Sequence, residues 1–287
     1  MKRFTDFQEH VVEWANGRSD IQAVLLIGSL ARETHPADEW SDVDLILFAD
    51  DIEVYASQEK WLVNFGDVLV PVFERHQSGD IEWLVLFADG LKADFYFAPG
   101  AENLSSIISE ASYSFVIRRG AKLLYSRSDI ELDLPPSELE LAIQPEASEF
   151  LAATHTILMN GHKMAKFTRR GDVVRAKLVL ESLMRPTLLR MIAWHAQALF
   201  GMERDTWYNG RYLSEWADPR VLVALPNTYG DYSVEETWRS LFGTLILFRW
   251  LAEETAVQWQ YPFPVEAADQ VLAWIREMYL SANQTHH

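Results

Sequence analysis

Hydrophobic and polar positions divide the chain into two halves of different character. In the first half, short apolar runs alternate with polar turns. Residues 23–27 are continuously apolar and end at a glycine, while residues 41–48 alternate before an apolar end. Both patterns are typical of strands that enter a core. An amphipathic spacing over residues 5–14 predicts a helix ahead of the first strand.

A β-hairpin is predicted further along the same half. Residues 81–87 and 92–97 are rich in branched and aromatic side chains, which favour strands. The residues between them contain Asp89-Gly90, a dipeptide that favours a tight hairpin turn. Asp94 then falls inside the second predicted strand, among apolar neighbours.

The second half has a helical pattern, with apolar residues three and four positions apart. Before it, three prolines interrupt an acidic stretch, so we expect a connector over residues 127–145. We therefore predict an α+β (mixed α/β) chain, with a mixed sheet flanked by helices over residues 1–135 and an α-helical bundle over residues 136–287. The predicted helices of the bundle cover residues 147–167, 172–200, 234–255 and 265–281.

The pair Gly28-Ser29 follows the first predicted strand. Glycine lets the backbone approach a ligand closely, and Ser29 adds a hydroxyl donor. We expect the turn to lead into a helix, whose first N–H groups attract anions such as a triphosphate. A Gly-Ser pair alone is weak evidence, so its weight depends on the carboxylates that follow.

Asp42 and Asp44 stand in the second predicted strand. Side chains two residues apart on a strand share a face and start roughly 6–7 Å apart, so both carboxylates can reach divalent cations. Mg²⁺ prefers oxygen ligands and is held by one or two carboxylates plus substrate phosphates. Paired metal ions clamp the attacking and leaving oxygens of an in-line displacement at phosphorus. The alternative for this pair alone is a solvated edge strand.

Asp94 favours the metal site over that alternative. A carboxylate flanked by Ala93 and Phe95 is unfavourable unless it meets a metal ion, a cation or a hydrogen-bond network. Asp89, by contrast, is explained by its turn. A phosphate-sized turn together with three carboxylates indicates nucleotidyl transfer.

Two resemblances follow from these motifs. Residues 28–32, residues 41–44 and Asp94 match the pattern of the DNA polymerase beta-like nucleotidyltransferase superfamily, which the chain resembles. Over nearly its whole length the chain also looks like the aminoglycoside 6-adenylyltransferase (streptomycin adenylyltransferase) family. The segments that carry this second resemblance are residues 61–67, 86–90 and 228–230, together with Trp238.

The family resemblance implies an N-terminal nucleotidyltransferase domain with the metal and nucleotide site. It also implies a helical substrate-binding domain that completes the pocket, and transfer of AMP from ATP to an aminoglycoside hydroxyl. By position, Asp42 and Asp44 would bind Mg²⁺, and Gly28 and Ser29 would hold the triphosphate. Asp94 would either ligate the metal or take the proton from the attacking hydroxyl.

Three further residues are implied to bind the nucleotide. Arg32 closes the Gly-Ser motif. Arg211 stands where the family has lysine, and its planar guanidinium can contact phosphate with a different geometry. Tyr229 lies in a predicted loop and would sit by the nucleotide or its phosphates, although a packed aromatic is an equal alternative. Residues 68–77 depart from the family pattern, so the acceptor can differ from the one that the family resemblance implies.

The composition of the chain indicates which classes of partner it can bind. Hydrophobic residues make up 49% of the 287 residues, which is enough to fill the cores of two ordinary domains. The formal net charge is −17. A chain this acidic repels nucleic acid, whereas an acidic cleft attracts a small cationic acceptor such as an aminoglycoside. Solubility alone is an equal explanation of the charge.

Three features that are typical of secreted or membrane proteins bear on the cellular compartment that we expect. The chain contains no cysteine, which excludes thiolate chemistry and fits a reducing cytoplasm. The first 13 residues are charged throughout, unlike a signal peptide. The apolar residues 241–248 are too few to cross a membrane. We expect a cytoplasmic monomer that uses ATP as co-substrate and Mg²⁺ as cofactor, without nucleic-acid or membrane partners.

Three other functions stay open at this point. A related enzyme could adenylylate a different acceptor, such as a lincosamide or a protein side chain. A non-catalytic nucleotide-binding module would bind ATP without releasing pyrophosphate. A structural or interaction protein would explain the helical half but not an aspartate placed within a strand.

Overall fold

The computed structural model describes residues 2–100, 117–127 and 142–284. The chain divides into two compact units, Met1–Glu140 and Leu141–His287. Most of the expected connector, residues 128–141, lies outside the described residues. The functional roles predicted for the two domains stay predictions.

The N-terminal unit combines a sheet with short helices. Its first helix, α1 (Lys2–Asn16), buries residues at three- and four-residue spacing, as its amphipathic pattern predicts. The strands are β1 (Ile21–Ile27), β2 (Val43–Ala49), β3 (Val68–Arg75), β4 (Ile81–Phe87), β5 (Lys92–Pro99) and β6 (Lys122–Ser126). The connections include helix α2 (Glu53–Ala56) and the 3₁₀ turns Gly28–Leu30 and Glu59–Asn64.

The described strands form one mixed sheet in the order β3-β4-β5-β2-β1-β6. The pair β2 and β5 is parallel, and the other neighbouring strands are antiparallel. The antiparallel pair β4 and β5 is the predicted hairpin. In the parallel pair, Asp44 is the register partner of Asp94. The mixed α+β fold class is thereby confirmed.

The two faces of the sheet carry separate apolar layers. On one face, α1 packs through Phe7, whose ring centroid lies 6.2 Å from that of Phe95. The other face buries Ile46 and its neighbours in β1 and β5. Because side chains alternate along a strand, Asp44 and Asp94 belong to this second face. They lie where its apolar layer ends.

The second unit is helical throughout its regular elements. The predicted helix over residues 172–200 is interrupted by a π-helical turn, Leu180–Met184, directly before Arg185. Pro186 has no N–H to continue the α-helical ladder, which accounts for a wider turn at this point. The helices are α3 (Ala147–Arg169), α4 (Val173–Val179), α5 (Arg185–Phe200), α6 (Leu213–Trp216), α7 (Pro219–Ala224), α8 (Val234–Trp259) and α9 (Val265–Gln284).

Helix α8 organises the core of this unit. It contacts α3, α4, α5 and α7 and is apolar around most of its circumference. The side chain of Ser233 caps it by accepting a hydrogen bond from the backbone N–H of Glu236 at 3.1 Å. Within the described ranges, no helix combines the length and hydropathy needed to span a membrane.

Candidate active site

The chain turns sharply at Gly28, directly after β1. Its φ of +70° lies in the left-handed region that glycine adopts readily. A Cβ at this position would lie 3.0 Å from Cγ of Asp44 and closer still to its Oδ2. Glycine therefore allows the backbone of the turn to meet the Asp44 carboxylate. The tertiary contact explains why this residue is needed here.

The expected helix after Gly28 is only a single 3₁₀ turn, Gly28–Leu30, which contains Ser29. Backbone N–H groups at the start of a helical turn have no partner within it, so a phosphate could accept hydrogen bonds from them. The dipole of a long helix is not available, because three residues are too few to build one. Phosphate binding at this turn would depend on local donors.

The structure brings the three predicted carboxylates to one end of the parallel strand pair. Asp42 directly precedes β2, Asp44 lies in β2, and Asp94 lies beside Asp44 in β5. A lysine joins them: Nζ of Lys92 lies 3.2 Å from Oδ2 of Asp42 and 2.7 Å from Oδ2 of Asp94. Two carboxylates thus share one cation.

No group of three or more carboxylates or histidines among the described residues is arranged to hold a metal ion. Two carboxylate oxygens within reach of one cation nevertheless meet the needs of Mg²⁺, which takes its other ligands from phosphates and water. In addition, Oδ1 of Asp94 is buried and has no hydrogen-bond partner. The donor set therefore fits a nucleotide-bound Mg²⁺, and the metal role of these residues stays a prediction.

Negative charge is crowded at this site. Burial and the neighbouring Asp94 and Asp42 carboxylates raise the pKa of Asp44 to about 6, although Lys92 and Arg32 act in the opposite direction. Burial also raises the pKa of Asp94, against the effect of Lys92. Raised carboxyl pKa values mean that further positive charge would stabilise the ionised cluster.

Lys92 is the residue of this cluster that sequence reasoning missed. It begins β5 two residues before Asp94, so the two side chains share a face of the strand. Burial opposes its charge, but Asp94 and Asp42 outweigh that effect and raise the pKa of Lys92. The i, i+2 spacing of a lysine and an unexplained strand aspartate was the signal that could have identified it.

Arg32 lies close to the same cluster. It follows the 3₁₀ turn, and its backbone N–H donates to the carbonyl of Gly28 at 3.2 Å. The side chain is 9% exposed, and Nη2 donates to the carbonyl of His35 at 3.3 Å. Because its charge lowers the pKa of Asp44, the guanidinium acts electrostatically on the cluster.

Arg211 and Tyr229 belong to the helical unit. Arg211 is exposed, with its guanidinium carbon 5.3 Å from the ring centroid of Tyr212. The ring of Tyr229 packs under Arg185, whose guanidinium carbon lies 3.9 Å from the ring centroid, and Tyr229 is still 49% exposed. Arg185 forms an ion pair with Glu181 at 3.1 Å. The nucleotide contacts of Arg211 and Tyr229 stay predictions.

Known proteins resemble the chain over most of its length. The aminoglycoside 6-adenylyltransferase of Bacillus subtilis (strain 168) is 27% identical over 274 residues, covering 92% of this chain and 94% of that protein. The Campylobacter jejuni protein of the same name is 24% identical and covers 92% of both chains. The crystal structure of an aminoglycoside 6-adenyltransferase from Bacillus subtilis has a TM-score of 0.45 and 22% identity, covering 95% of this chain and 98% of that one.

The family assignment rests on a match that spans both units. The model of the family described as streptomycin adenylyltransferase matches residues 1–278. This match confirms the resemblance that the turn, the carboxylates and the later motifs indicate. The chain belongs to the streptomycin adenylyltransferase family, and it is an adenylyltransferase.

Proposed function

We propose that this protein transfers AMP from ATP to a hydroxyl of a streptomycin-like aminoglycoside, with Mg²⁺ as cofactor. One observation carries the proposal: the parallel register places Asp44 beside Asp94, with Asp42 close enough to share a cation with Asp94. The relatives named aminoglycoside 6-adenylyltransferase support this acceptor class. The formal charge of −17 supports a cationic acceptor.

The residues that the sequence predicts for this site each have a role in the proposed reaction. Asp42 and Asp44 would hold Mg²⁺, which when bound would neutralise charge on the triphosphate. Gly28 lets the backbone come close to the phosphates, and Ser29 donates a hydrogen bond to them. Arg32 adds positive charge near the same end of the sheet. Positioning and charge neutralisation account for most of the rate in such transfers.

The chemical step is an in-line displacement at the α-phosphorus. The acceptor hydroxyl oxygen forms the new bond to phosphorus as the bond to the bridging oxygen breaks, and pyrophosphate leaves. Asp94 takes the hydroxyl proton, as a general base within hydrogen-bond reach of that hydroxyl or one water away. Its Oδ2 can still face a cation, so a ligand role for Asp94 is compatible with this step.

We also propose that two residues of the helical unit, Arg211 and Tyr229, bind the nucleotide. Arg211 is exposed and forms a planar donor for phosphate oxygens. Tyr229 exposes about half of its surface while Arg185 holds one ring face. An aromatic ring fixed in this way can pack against the nucleotide base.

The test is pyrophosphate release from ATP and Mg²⁺ across streptomycin, other aminoglycosides and lincosamides. We expect release with streptomycin, and AMP attached to the antibiotic by mass spectrometry. Pyrophosphate release with another compound but not with streptomycin would assign a different acceptor within the superfamily. ATP binding without release for any acceptor would favour the non-catalytic nucleotide-binding module.

A matched pair of variants tests the carboxylates. Asp44→Asn should keep the circular dichroism spectrum and lose transfer by about 10²-fold or more, because the variant weakens charge compensation at the triphosphate. Asp89→Asn is the control, since Oδ1 of Asp89 accepts a hydrogen bond from the N–H of Leu91 and asparagine preserves that acceptor. Unchanged turnover in Asp44→Asn would rule out the metal role.

A further inference from the structure

Lys92 carries a positive charge that the reaction above does not use. Its ammonium lies between Asp42 and Asp94, at 3.2 Å and 2.7 Å from one oxygen of each. The Lys92 side chain is 38% exposed, and those of Asp42 and Asp94 are 43% and 17% exposed. The Lys92 bridge is therefore partly exposed to solvent.

The two oxygens bound by Lys92 are also those that a divalent cation would use. Magnesium binds oxygen at about 2.0–2.1 Å, so an ion on Oδ2 of Asp94 would lie no more than about 5 Å from Nζ of Lys92. Two positive charges at that separation repel strongly. The four-carbon stem of lysine is flexible, so the ammonium can swing out of the way.

We propose that Lys92 is a positioning residue that stands in for the divalent cation in the metal-free enzyme and gives way when that cation binds. It holds Asp42 and Asp94 side by side, so that the ligands stay in place between turnovers. The inference rests on the proposed function in one respect, since it takes Asp42 as a cation ligand and uses the ligand role of Asp94 that the proposed step allows.

This role differs measurably from that of an ordinary structural ion pair. A structural pair would stabilise the fold, and its loss would leave cation affinity unchanged or weaker. A competing ammonium lowers cation affinity instead, so neutralising it strengthens cation binding. A variant that lacks the Lys92 charge should therefore be less stable in the absence of metal and should also bind the metal more tightly.

The experiment measures binding of Mn²⁺ to the full chain without nucleotide, by electron paramagnetic resonance of the free ion. Lys92→Gln and Lys92→Met remove the charge, and Lys92→Arg keeps it. Lys60→Gln is the matched control for net charge, because Lys60 is exposed in the 3₁₀ turn Glu59–Asn64. Thermal unfolding in EDTA gives the stability of each metal-free variant.

We expect both neutral variants to bind Mn²⁺ about tenfold more tightly than the parent protein. Their melting temperature in EDTA should fall by a few degrees. Lys92→Arg and Lys60→Gln should stay close to the parent protein in both measurements.

Two results would overturn the proposal, and they differ in what else they affect. Equal or weaker Mn²⁺ binding in the neutral variants would remove the competing role of Lys92 and leave the metal site in place. Absence of Mn²⁺ binding in every protein, including the parent, would show that no divalent cation binds these aspartates without nucleotide, so that Lys92 does not stand in for one there. Transfer activity measured with and without Mg²⁺ shows separately whether the proposed function stands.

Discussion

Replacing Gly28 with alanine isolates the contact between the turn and Asp44. Alanine at a φ of +70° has a conformational cost of about 1–2 kcal/mol relative to glycine. Its Cβ would also lie 3.0 Å from Cγ of Asp44, whereas ordinary contact begins at 3.4 Å. The carboxylate, or the turn, therefore has to move by several tenths of an ångström, and more at Oδ2.

A second glycine separates these two effects. Gly90 has a φ of +82°, and a Cβ built on it meets nothing within 4 Å. Gly90→Ala therefore carries the conformational cost alone, in the same unit of the chain. Any loss of stability or turnover in Gly28→Ala beyond that in Gly90→Ala is therefore due to the displaced Asp44 carboxylate.

Gly90→Ala should lose about 1–2 kcal/mol of stability in urea unfolding followed by circular dichroism, and Gly28→Ala should lose at least as much. Only Gly28→Ala should lose turnover, by about 10²-fold, because a displacement near 1 Å in an active site can have an effect of this size. Pyrophosphate release from ATP, with the acceptor found by the substrate panel, measures turnover. A folded Gly28→Ala protein with turnover similar to Gly90→Ala would refute the role of this contact.

Two further predictions concern the helical unit. Burial opposes ionisation of Glu254, but hydrogen bonds from Arg220 and His195 outweigh it and lower its pKa to about 2. Glu254→Gln should therefore lose about 1–2 kcal/mol at pH 7, a value reduced for partial exposure. A carboxyl group with a lowered pKa stabilises the fold at pH values above its ordinary pKa of 4.5. The difference in stability between Glu254→Gln and the parent protein should therefore shrink as the pH falls from about 4.5 to about 2. A difference in urea unfolding that stays constant with pH would contradict this prediction. Gly243→Ala would place a Cβ 2.7 Å from the carbonyl carbon of Asn227. It should destabilise the unit by about 1–3 kcal/mol although alanine favours helices, and a gain in stability would argue against this close packing.

Much of the local structure could be predicted because it depends on short-range patterns. The hairpin of β4 and β5 follows from two apolar runs and the Asp89-Gly90 turn. The long helices follow from apolar residues at three- and four-residue spacing. The first helix and the first two strands were found within a few residues of their ends.

Strand β3 was missed for a physical reason. Its sequence is a largely apolar run with no alternation, and it contains Pro71. A proline cannot donate to a neighbouring strand, so it argues against a central strand. In the described sheet β3 lies at the edge, where one partner is enough and the missing N–H is tolerated.

The π-helical turn before Arg185 also could not be placed from periodicity. The apolar spacing continues through residues 172–200, so the pattern predicts one helix. A proline such as Pro186 favours a kink in a helix, but the width of the turn depends on how the backbone rearranges around the missing donor.

The sequence by itself determined which chemical groups are available: a glycine turn, three aspartates and a helical second half that together indicate the family. Only the tertiary structure decided that Asp44 and Asp94, fifty positions apart in the chain, are register partners in a parallel strand pair. It also decided that Lys92 bridges two of the aspartates. Local spacing reports which face of a strand a residue takes, whereas strand order and register depend on packing between distant segments.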